Sequence, residues 1–464
     1  MKVLVAAAVA FVLLGSGAVW AGAATAGTEP AASIAAGETS ATPTPAPAPT
    51  PTPTTPAARP APGAATVSTP LRTCSVAGLA EDSRLGEFQA QVVNADTGEV
   101  LFDRGGSTAS RAASVLKVLT SAAALSVLGA DYRATTTVVA GPEPGQVVLV
   151  GGGDLTLSST STGDESFYDG AAHLDDLADQ ARAAMGDTEI TSVLLDSGYF
   201  GGPDWEPSWD RKEQTDGYMP PITALQVDGG RADPYASTSA RSEDPVGQAG
   251  AAFADELGGA VDVSVGTAPA GAAVLASVQS QPVGVLIKQS LIVSDNALAE
   301  MLARLVAVES GTGNTFTAIQ PAVLAGLAEY GIDTTGILIA DGSGLSDNNA
   351  VPPAYLTKLF RQINAREGSL GEIFDGLPIA GGPSGSLSYS DRFSGANADA
   401  DGAVFAKTGW IDTGYTLAGV IRAQDGSTLT FAVYALGDVG DNAKQAIDTI
   451  TTGFFRCGNN LSNN

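Results

Sequence analysis

The sequence is poor in the side chains on which most metal and histidine chemistry depends. Its 464 residues include one histidine, His173, and two cysteines, Cys74 and Cys457. Because the common zinc sites need several His, Cys or carboxylate ligands at set spacings, we expect no metal site. His173 lies in the helix-like run AAHLDDLADQARAAM, which predicts an ordinary helix histidine and not a member of a Ser-His-Asp triad.

Basic residues are also scarce. The chain carries 23 Lys and Arg against 50 Asp and Glu, a net charge of -27, and no basic stripe interrupts the acidity. Such a charge repels the phosphate backbone, so nucleic acid is excluded as a partner. The acidity is typical of a solvated and soluble surface, and we infer no cationic partner from it.

The N-terminal region differs sharply from the rest of the chain in composition. After Met1 and Lys2 no charged residue occurs up to Gly27, which predicts that residues 1–26 are a membrane-targeting segment. The segment fits a cleaved signal peptide and is also long enough for an uncleaved anchor, so attachment to the membrane stays open. Residues 27–70 are rich in Pro, Ala and Thr and predict a disordered linker. These segments predict an exported protein that acts outside the cytoplasm, at the cell wall or membrane.

The two cysteines flank the part of the chain that is expected to fold. Cys74 follows the linker and Cys457 lies close to the C-terminus. In an exported protein such a pair favours a disulfide between the two ends of the fold. Two free buried thiols would have the same sequence pattern.

The folded part shows strands at both of its ends. Two alternating apolar runs surround a turn at Asp96-Thr97-Gly98, and two more surround a turn at Gln424-Asp425-Gly426. A helix is predicted from Ala113 to Leu128, and a closing helix from Asn442 to Phe455. Strand-like runs lie at 135–141, 145–153 and 191–198, and helical runs at 169–185, 246–258, 283–307 and 314–330. The pattern predicts a sheet packed with helices, of α+β or α/β type, interrupted by an additional region.

Three short strings set this sequence apart from a generic globular domain: Ser114-Val115-Leu116-Lys117, Ser294-Asp295-Asn296 and Lys407-Thr408-Gly409. Each is common by itself. Their conjunction in this order is typical of β-lactamases and penicillin-binding proteins.

The first string predicts a nucleophile and its base. Residues three apart on a helix are neighbours, so the Lys117 amine can reach the Ser114 hydroxyl. The amine acts as a base only when neutral, which requires burial or a nearby positive charge such as that of Lys407. The N–H of Ser114 at the helix start predicts half of an oxyanion hole. A buried helix with a snorkelling lysine is the plainer alternative.

The second and third strings predict the rest of the site. Ser294 is expected to relay a proton and Asn296 to bind a substrate amide, although both also suit a helix cap. Lys407 and Thr408 are expected to hold a carboxylate, and Gly409 to let a ligand approach the strand edge. The N–H of Trp410 would complete the oxyanion hole. An exposed lysine at the start of a strand would have the same sequence.

With these residues placed, the sequence resembles the class C low-molecular-mass penicillin-binding proteins. Further matching strings are residues 151–157 (GGGDLTL), 196–205 (DSGYFGGPDW), 341–346 (DGSGLS) and 377–387 (LPIAGGPSGSL). The resemblance implies an α+β fold, a β-lactamase/transpeptidase-like domain with an antiparallel sheet and helices on both faces. Residues 71–132 and 281–464 would form this domain, and residues 133–280 an inserted α/β region.

The resemblance also implies a function, a serine-type D-Ala-D-Ala carboxypeptidase that acts on peptidoglycan stem peptides without a cofactor. Ser114 would be acylated by the substrate and by β-lactam antibiotics. D,D-endopeptidase action at the same site stays open. Trp410 departs from the threonine of many relatives. Two alternatives are a β-lactamase-like hydrolase, although no Glu-x-x-Leu-Asn string occurs, and a catalytically silent cell-wall-binding protein of the same fold.

Overall fold

The computed structural model describes residues 46, 48 and 71–463 of the chain. The predicted targeting segment, 1–26, lies outside the described residues, as does almost all of the predicted linker, 27–70. From residue 71 onward the described chain belongs to one compact unit. In this part of the chain no helix combines the length and apolar character that a membrane span requires.

The described residues form strands in two groups and helices throughout. The strands are β1 (Glu87–Asn94), β2 (Val100–Arg104), β3 (Thr135–Ala140), β4 (Gln146–Val150), β5 (Ser192–Asp196), β6 (Asp262–Val265), β7 (Val274–Gln279), β8 (Val404–Ile411), β9 (Gly414–Arg422) and β10 (Thr428–Leu436). The helices are α1 (Ala77–Ala80), α2 (Leu116–Val127), α3 (Leu174–Met185), α4 (Lys212–Thr215), α5 (Pro245–Glu256), α6 (Val283–Val293), α7 (Asn296–Glu309), α8 (Ile319–Ala328), α9 (Pro353–Asn364), α10 (Gly371–Asp375) and α11 (Ala443–Cys457).

The first sheet joins the two ends of the folded chain. Its strand order is β2-β1-β10-β9-β8, and all neighbours are antiparallel. Along β10, Ala432 and Tyr434 pack with α2, α7 and α9, whereas Phe431 and Val433 pack with α11 on the other face. Burial of both faces explains why this strand reads as a continuous apolar run. The predicted α+β fold with helices on both faces is confirmed.

The second sheet has the order β6-β5-β4-β3-β7. It is mixed, because β4, β5 and β6 are parallel neighbours while β3 is antiparallel to both β4 and β7. Helices α3 and α5 cover it with an apolar core of their own. All five strands lie within residues 135–279, which we call the second-sheet region. The limits of the inserted region, 133–280, stay a prediction.

The structure corrects two sequence-based expectations about helices. The helical run 283–307 is two helices, α6 and α7, because Ser294 has left-handed backbone angles (φ 61°, ψ 39°). The run 169–185 becomes helical only at Leu174, so the expectation of a helix histidine is wrong. His173 has an extended backbone and forms a bridge with Ser158. Tertiary pairing overrides helix propensity there.

The disulfide between Cys74 and Cys457 is present, with 5.5 Å between the two Cα atoms. It links the segment before β1 to the end of α11. A second tie lies beside it, because Cys74 N donates a hydrogen bond to Asn460 O and Ser462 N donates one to Cys74 O. The two ends of the described fold are therefore fastened to each other next to the first sheet.

Candidate active site

Ser114 lies in a single 3-10 turn, Ala113–Val115, that leads directly into α2. The residue before it, Ala113, has a positive φ of 45°. Strand β8 approaches this turn so closely that a Cβ at Gly409 would lie 2.9 Å from Ala113 Cβ and 2.2 Å from Thr416 Oγ1. Glycine at position 409 therefore allows the edge of β8 to lie against the turn that carries Ser114.

Lys117 is fully buried and lies one helical turn after Ser114. Its Nζ is 2.8 Å from Ser114 Oγ, 2.7 Å from Asn296 Oδ1 and 2.8 Å from Ser343 O. All three partners are neutral oxygens. The first two strings found in the sequence thus meet at one amine.

Burial lowers the pKa of Lys117 to about 8, although the carboxylates of Asp341, Glu300 and Asp295 oppose this shift. At neutral pH a useful fraction of the amine is therefore uncharged. A neutral amine keeps two N–H donors and one lone pair. In that form the donors suit the oxygens of Asn296 and Ser343, which leaves the lone pair to face the hydroxyl of Ser114.

Lys407 is the second fully buried amine of the site. Its Nζ donates hydrogen bonds to Ser294 Oγ and to Thr408 O, each 2.8 Å long. Burial, and after it the positive charge of Lys117, hold the pKa of Lys407 well below its usual value. The alternative of an exposed lysine at a strand start is wrong, because β8 already begins at Val404 and the side chain is enclosed.

The remaining predicted residues surround a cleft at the edge of β8. Thr408 Oγ1 lies 2.6 Å from Ser386 Oγ, and the ring of Trp410 is 53% exposed. The cleft has a volume of about 620 Å³ and is lined by Ser114, Ser294, Asn296, Thr408, Gly409 and Trp410, among others. Six predicted residues thus share one cleft, and the two buried lysines contact its walls.

Comparison with known proteins agrees with this arrangement. A family model described as D-Ala-D-Ala carboxypeptidase 3 (S13) matches residues 73–240 and 231–454. The chain belongs to the D-Ala-D-Ala carboxypeptidase 3 (S13) family. The resemblance to class C low-molecular-mass penicillin-binding proteins is confirmed with it, as is the enzyme class, a serine-type D-Ala-D-Ala carboxypeptidase.

Two curated relatives cover most of this S13-family chain. Carboxypeptidase DacB of Mycolicibacterium smegmatis is 39% identical over 396 residues, which are 84% of each chain. A D-alanyl-D-alanine carboxypeptidase of Actinomadura sp. is 28% identical over 436 residues and covers 75% of this chain and 77% of its own.

Among solved structures, penicillin binding protein 4 (dacB) from Haemophilus influenzae has the same fold. The TM-score is 0.69 at 20% sequence identity, over 82% of this chain and 99% of the other.

The structure gives a part in the candidate site to residues for which the sequence predicted no role, two of them in the matching string 341–346. Ser343, whose carbonyl accepts from Lys117, donates its own N–H to Glu300 Oε1 at 2.7 Å, and Gly342 N donates to the same carboxyl at 3.0 Å. Burial, together with the charge of Asp341, raises the pKa of Glu300 to about 8. The sequence feature that could have indicated Glu300 is the presence of a single glutamate within the apolar run NALAEMLARLV of α7.

His173 lies outside this site. Its Nδ1 is 2.8 Å from Thr160 O, and it borders a separate groove in the second-sheet region with Asp175 and Asp176. Among the described residues, 71–463 included, no group of three or more His, Cys, Asp and Glu side chains has the arrangement that a metal ion requires.

Proposed function

We propose that this S13-family carboxypeptidase removes the terminal D-alanine from peptidoglycan stem peptides through an acyl-enzyme on Ser114. The observation that carries the proposal is the 2.8 Å contact between Ser114 Oγ and the fully buried Lys117 Nζ. A hydroxyl is a weak nucleophile at its ordinary pKa, so it needs a base at this distance. Among the described residues, the one histidine, His173, lies outside the site. The neutral amine of Lys117 therefore serves as the base.

Acylation begins when Lys117 Nζ takes the hydroxyl proton as Ser114 Oγ forms a bond to the carbonyl carbon of the penultimate D-alanine. The oxygen of that carbonyl becomes negative, and the N–H groups of Ser114 and Trp410 are the donors we assign to it. The carbon–nitrogen bond then breaks. The leaving amine gains a proton, and the product is free D-alanine.

Ser294 is the relay that we propose for this second proton. Its Oγ accepts a hydrogen bond from Lys407 Nζ and lines the same cleft as Ser114. The hydroxyl passes a proton to the leaving amine and is reprotonated from Lys117. Water then attacks the acyl-enzyme with Lys117 as base, which releases the shortened peptide and restores the Ser114 hydroxyl.

The carboxylate end of the substrate is the group that we assign to Thr408 and Lys407. Thr408 Oγ1 and Ser386 Oγ, 2.6 Å apart, present a pair of hydroxyls to the cleft. The amine of Lys407 donates to Thr408 O, and the arrival of a carboxylate would favour its charged form over the neutral form that burial favours. Asn296 remains free to donate its amide N–H to a backbone carbonyl of the peptide.

β-Lactam antibiotics are expected to acylate the same serine. Penicillin binding protein 4 from Haemophilus influenzae has also been solved in complex with a β-lactam. Since the sequence has no Glu-x-x-Leu-Asn string to supply a deacylating glutamate, we expect the adduct to hydrolyse slowly. Rapid turnover of penicillin, seen as the absence of a stable adduct by intact mass, would favour a β-lactamase instead.

A peptidoglycan substrate requires the enzyme to act outside the cytoplasmic membrane, in agreement with the predicted export. Whether residues 1–26 are removed or retained as an anchor stays a prediction on residues outside the described part.

The proposal is tested by digestion of purified muropeptides, read by mass. Loss of one alanine from pentapeptide stems is the expected result, and cleavage of cross-linked dimers would add endopeptidase action. Fluorescent penicillin should label the wild type and leave Ser114→Ala unlabelled. Label that persists in Ser114→Ala would show another nucleophile, and no label or digestion with the wild type would favour a silent wall-binding protein.

A further inference from the structure

A buried ion pair joins the second-sheet region to the active site. Arg231 Nη2 lies 3.0 Å from Asp295 Oδ2, and the two side chains are 1% and 2% exposed. Asp295 stands between Ser294 and Asn296 in the chain. Because these neighbours contact the two buried lysines, any movement of Asp295 displaces contacts at the reaction centre.

Both oxygens of the Asp295 carboxylate are in use. Oδ1 accepts a hydrogen bond from Leu298 N at 3.0 Å and so caps α7. Oδ2 accepts from Arg231 and also from Tyr168 OH at 3.1 Å. Burial alone would raise the pKa of Asp295, but the charges of Arg231 and Arg241 lower it overall, which keeps the carboxylate ionised. The side chain is therefore fixed from two directions.

Arg231 is fixed in turn by its own surroundings. Its Nη1 donates to Asp228 O and its Nε to Ala236 O, each at 3.0 Å. The guanidinium also lies against the rings of Phe167 and Tyr168, at 4.1 and 4.7 Å from their centroids. Since each of its three nitrogens has a hydrogen-bond partner, the guanidinium is held in one position.

The backbone segment that carries Arg231 is itself hydrogen-bonded and closely packed. Asp228 accepts hydrogen bonds from Ser159 N at 3.0 Å and Ser158 Oγ at 3.1 Å. A Cβ at Gly229 would lie 2.8 Å from Arg231 Nη1 and 2.5 Å from the Tyr168 hydroxyl. This segment therefore presents the guanidinium at one set position.

Ser294 is the residue whose position depends on this ion pair. Its left-handed backbone, with φ 61° and ψ 39°, is one that a residue other than glycine keeps only when its surroundings hold it there. On one side α6 ends at Ser294, and on the other Asp295 starts α7. The ion pair clamps the start of α7, and so it sets where the Ser294 hydroxyl points.

We propose that Arg231 is a positioning residue of the D,D-peptidase. It fixes Asp295 and thereby holds Ser294 Oγ beside Lys407 and Asn296 Oδ1 beside Lys117. The inference rests on the proposed function, since it assigns Arg231 to the same centre. It gives the second-sheet region a part in the reaction through a residue, Arg231, that does not line the cleft.

The test compares Arg231→Met with a matched control, Arg304→Met. Arg304 is also 1% exposed, and its guanidinium lies 4.9 and 4.6 Å from the ring centroids of Phe200 and Phe316. It donates to the carbonyls of Gly201 and Asn314 and has no hydrogen bond to residues 294–296 among those described. Both variants lose a buried guanidinium that lies close to two aromatic rings, but only Arg231 contacts residues 294–296.

The measurement is the rate constant of acylation by fluorescent penicillin at saturating concentration, alongside the concentration for half-maximal rate and the melting temperature. Both variants should melt at lower temperature. Arg231→Met should acylate roughly 10- to 100-fold more slowly at saturation, with little change in the half-maximal concentration, because misplaced groups mainly slow the chemical step. Arg304→Met should retain the wild-type rate. Arg231→Lys should recover part of the loss.

If Arg231→Met does not fold, Asp295→Asn serves instead, because its amide oxygen still caps α7 but carries no charge for Arg231. A slowed acylation step is again the expected result. The proposal is overturned by a wild-type rate in either variant, or by an equal loss in Arg304→Met. These outcomes all presuppose label on Ser114 of the wild type, and its absence would overturn the proposed function itself.

Discussion

The buried lysines of the proposed active site and the buried arginine that holds α11 have different partners. Lys117 and Lys407 donate to hydroxyl, amide and carbonyl oxygens, and to no carboxylate among the described residues. Arg392, which also lines the cleft, instead makes two hydrogen bonds, of 2.9 and 2.6 Å, to the carboxylate of Asp448 on α11. Their side chains are 7% and 1% exposed.

The contrast shows what each region is built to do. A buried charge next to an opposite charge keeps its proton and ties two elements together. A buried amine whose hydrogen-bond partners are neutral oxygens has no ion-pair partner. For Lys117 the charges of Asp341, Glu300 and Asp295 only partly offset burial, so its pKa falls and the proton can leave. The proposed active site of this carboxypeptidase thus contains buried amines without a carboxylate partner. Elsewhere in the molecule such an arrangement would only destabilise the fold.

Removal of the Lys117 amine is the strongest way to break this comparison. Lys117→Met should lower the acylation rate of penicillin by about 10²- to 10⁴-fold, the usual contribution of a general base. The rate is measured by stopping the reaction with fluorescent penicillin at set times and determining the amount of labelled protein. Lys117→Arg should be equally slow although it restores the charge, because a guanidinium stays protonated. A fast Lys117→Arg variant would contradict the role of a neutral base.

Asp448→Ala probes the supporting side of the comparison. Loss of one partner of a buried ion pair should lower the free energy of unfolding by about 3–5 kcal/mol, measured by urea denaturation. The matched control is Asp399→Ala, which breaks the exposed pair with Arg456, where the side chains are 43% and 45% exposed. That change should cost less than about 1 kcal/mol. Similar losses in both variants would mean that burial does not distinguish the two pairs.

The pH dependence of acylation sharpens the comparison on the catalytic side. The pKa of Lys117 is lowered to about 8, so the amine is protonated below this pH and neutral above it. The acylation rate should therefore rise with pH, by about tenfold per unit well below 8, and level off above it. It is measured from mildly acidic to alkaline pH, with melting curves to exclude unfolding. A rate that is flat or falls with pH would be the wrong sign for a base.

The smallest expected effect concerns a single hydroxyl. Thr408→Val keeps the shape of the side chain and removes the Oγ1 that pairs with Ser386. Acylation at low penicillin concentration should slow by about 3- to 10-fold, the range for one lost hydrogen bond. Thr413→Val, which removes a hydroxyl bonded to Asp347 after the same strand, is the control and should act like the wild type. Equal acylation rates for both variants would show that Thr408 does not contribute to carboxylate recognition.

Local patterns carried most of the sequence-based prediction. Ser114 and Lys117 meet because a helical turn brings residues three apart together, and both hairpins follow from alternation around short turns. The contacts of Lys117 with Asn296 and Ser343 span 179 and 226 residues. The conjunction of the three strings placed Asn296 in one site with Lys117, but the role predicted for Asn296 was to bind a substrate amide, and its contact with Lys117 was not predicted.

What the sequence did not predict depends on tertiary contacts. Ser343 contributes a backbone carbonyl, an atom that every residue has, so its type carries no signal. A helix cap at residues 294–296 was considered, but the left-handed backbone of Ser294 was not predicted, because it depends on distant contacts such as the Arg231–Asp295 pair. Strands β6 and β7 were also not predicted. Strand β6 is exposed along its whole length, and β7 buries only Ala276 and Val278.

The strand order of the first sheet determines when the active site can form. Strand β1 pairs with β10, so Glu87 lies opposite Leu436, near the far end of the chain. During synthesis the segment that carries Ser114 is made long before Lys407 of β8 and before β10, the strand beside β1. The catalytic centre can therefore form only once nearly the whole chain has been made, because a shorter chain would lack Lys407 and three of the five strands of the first sheet.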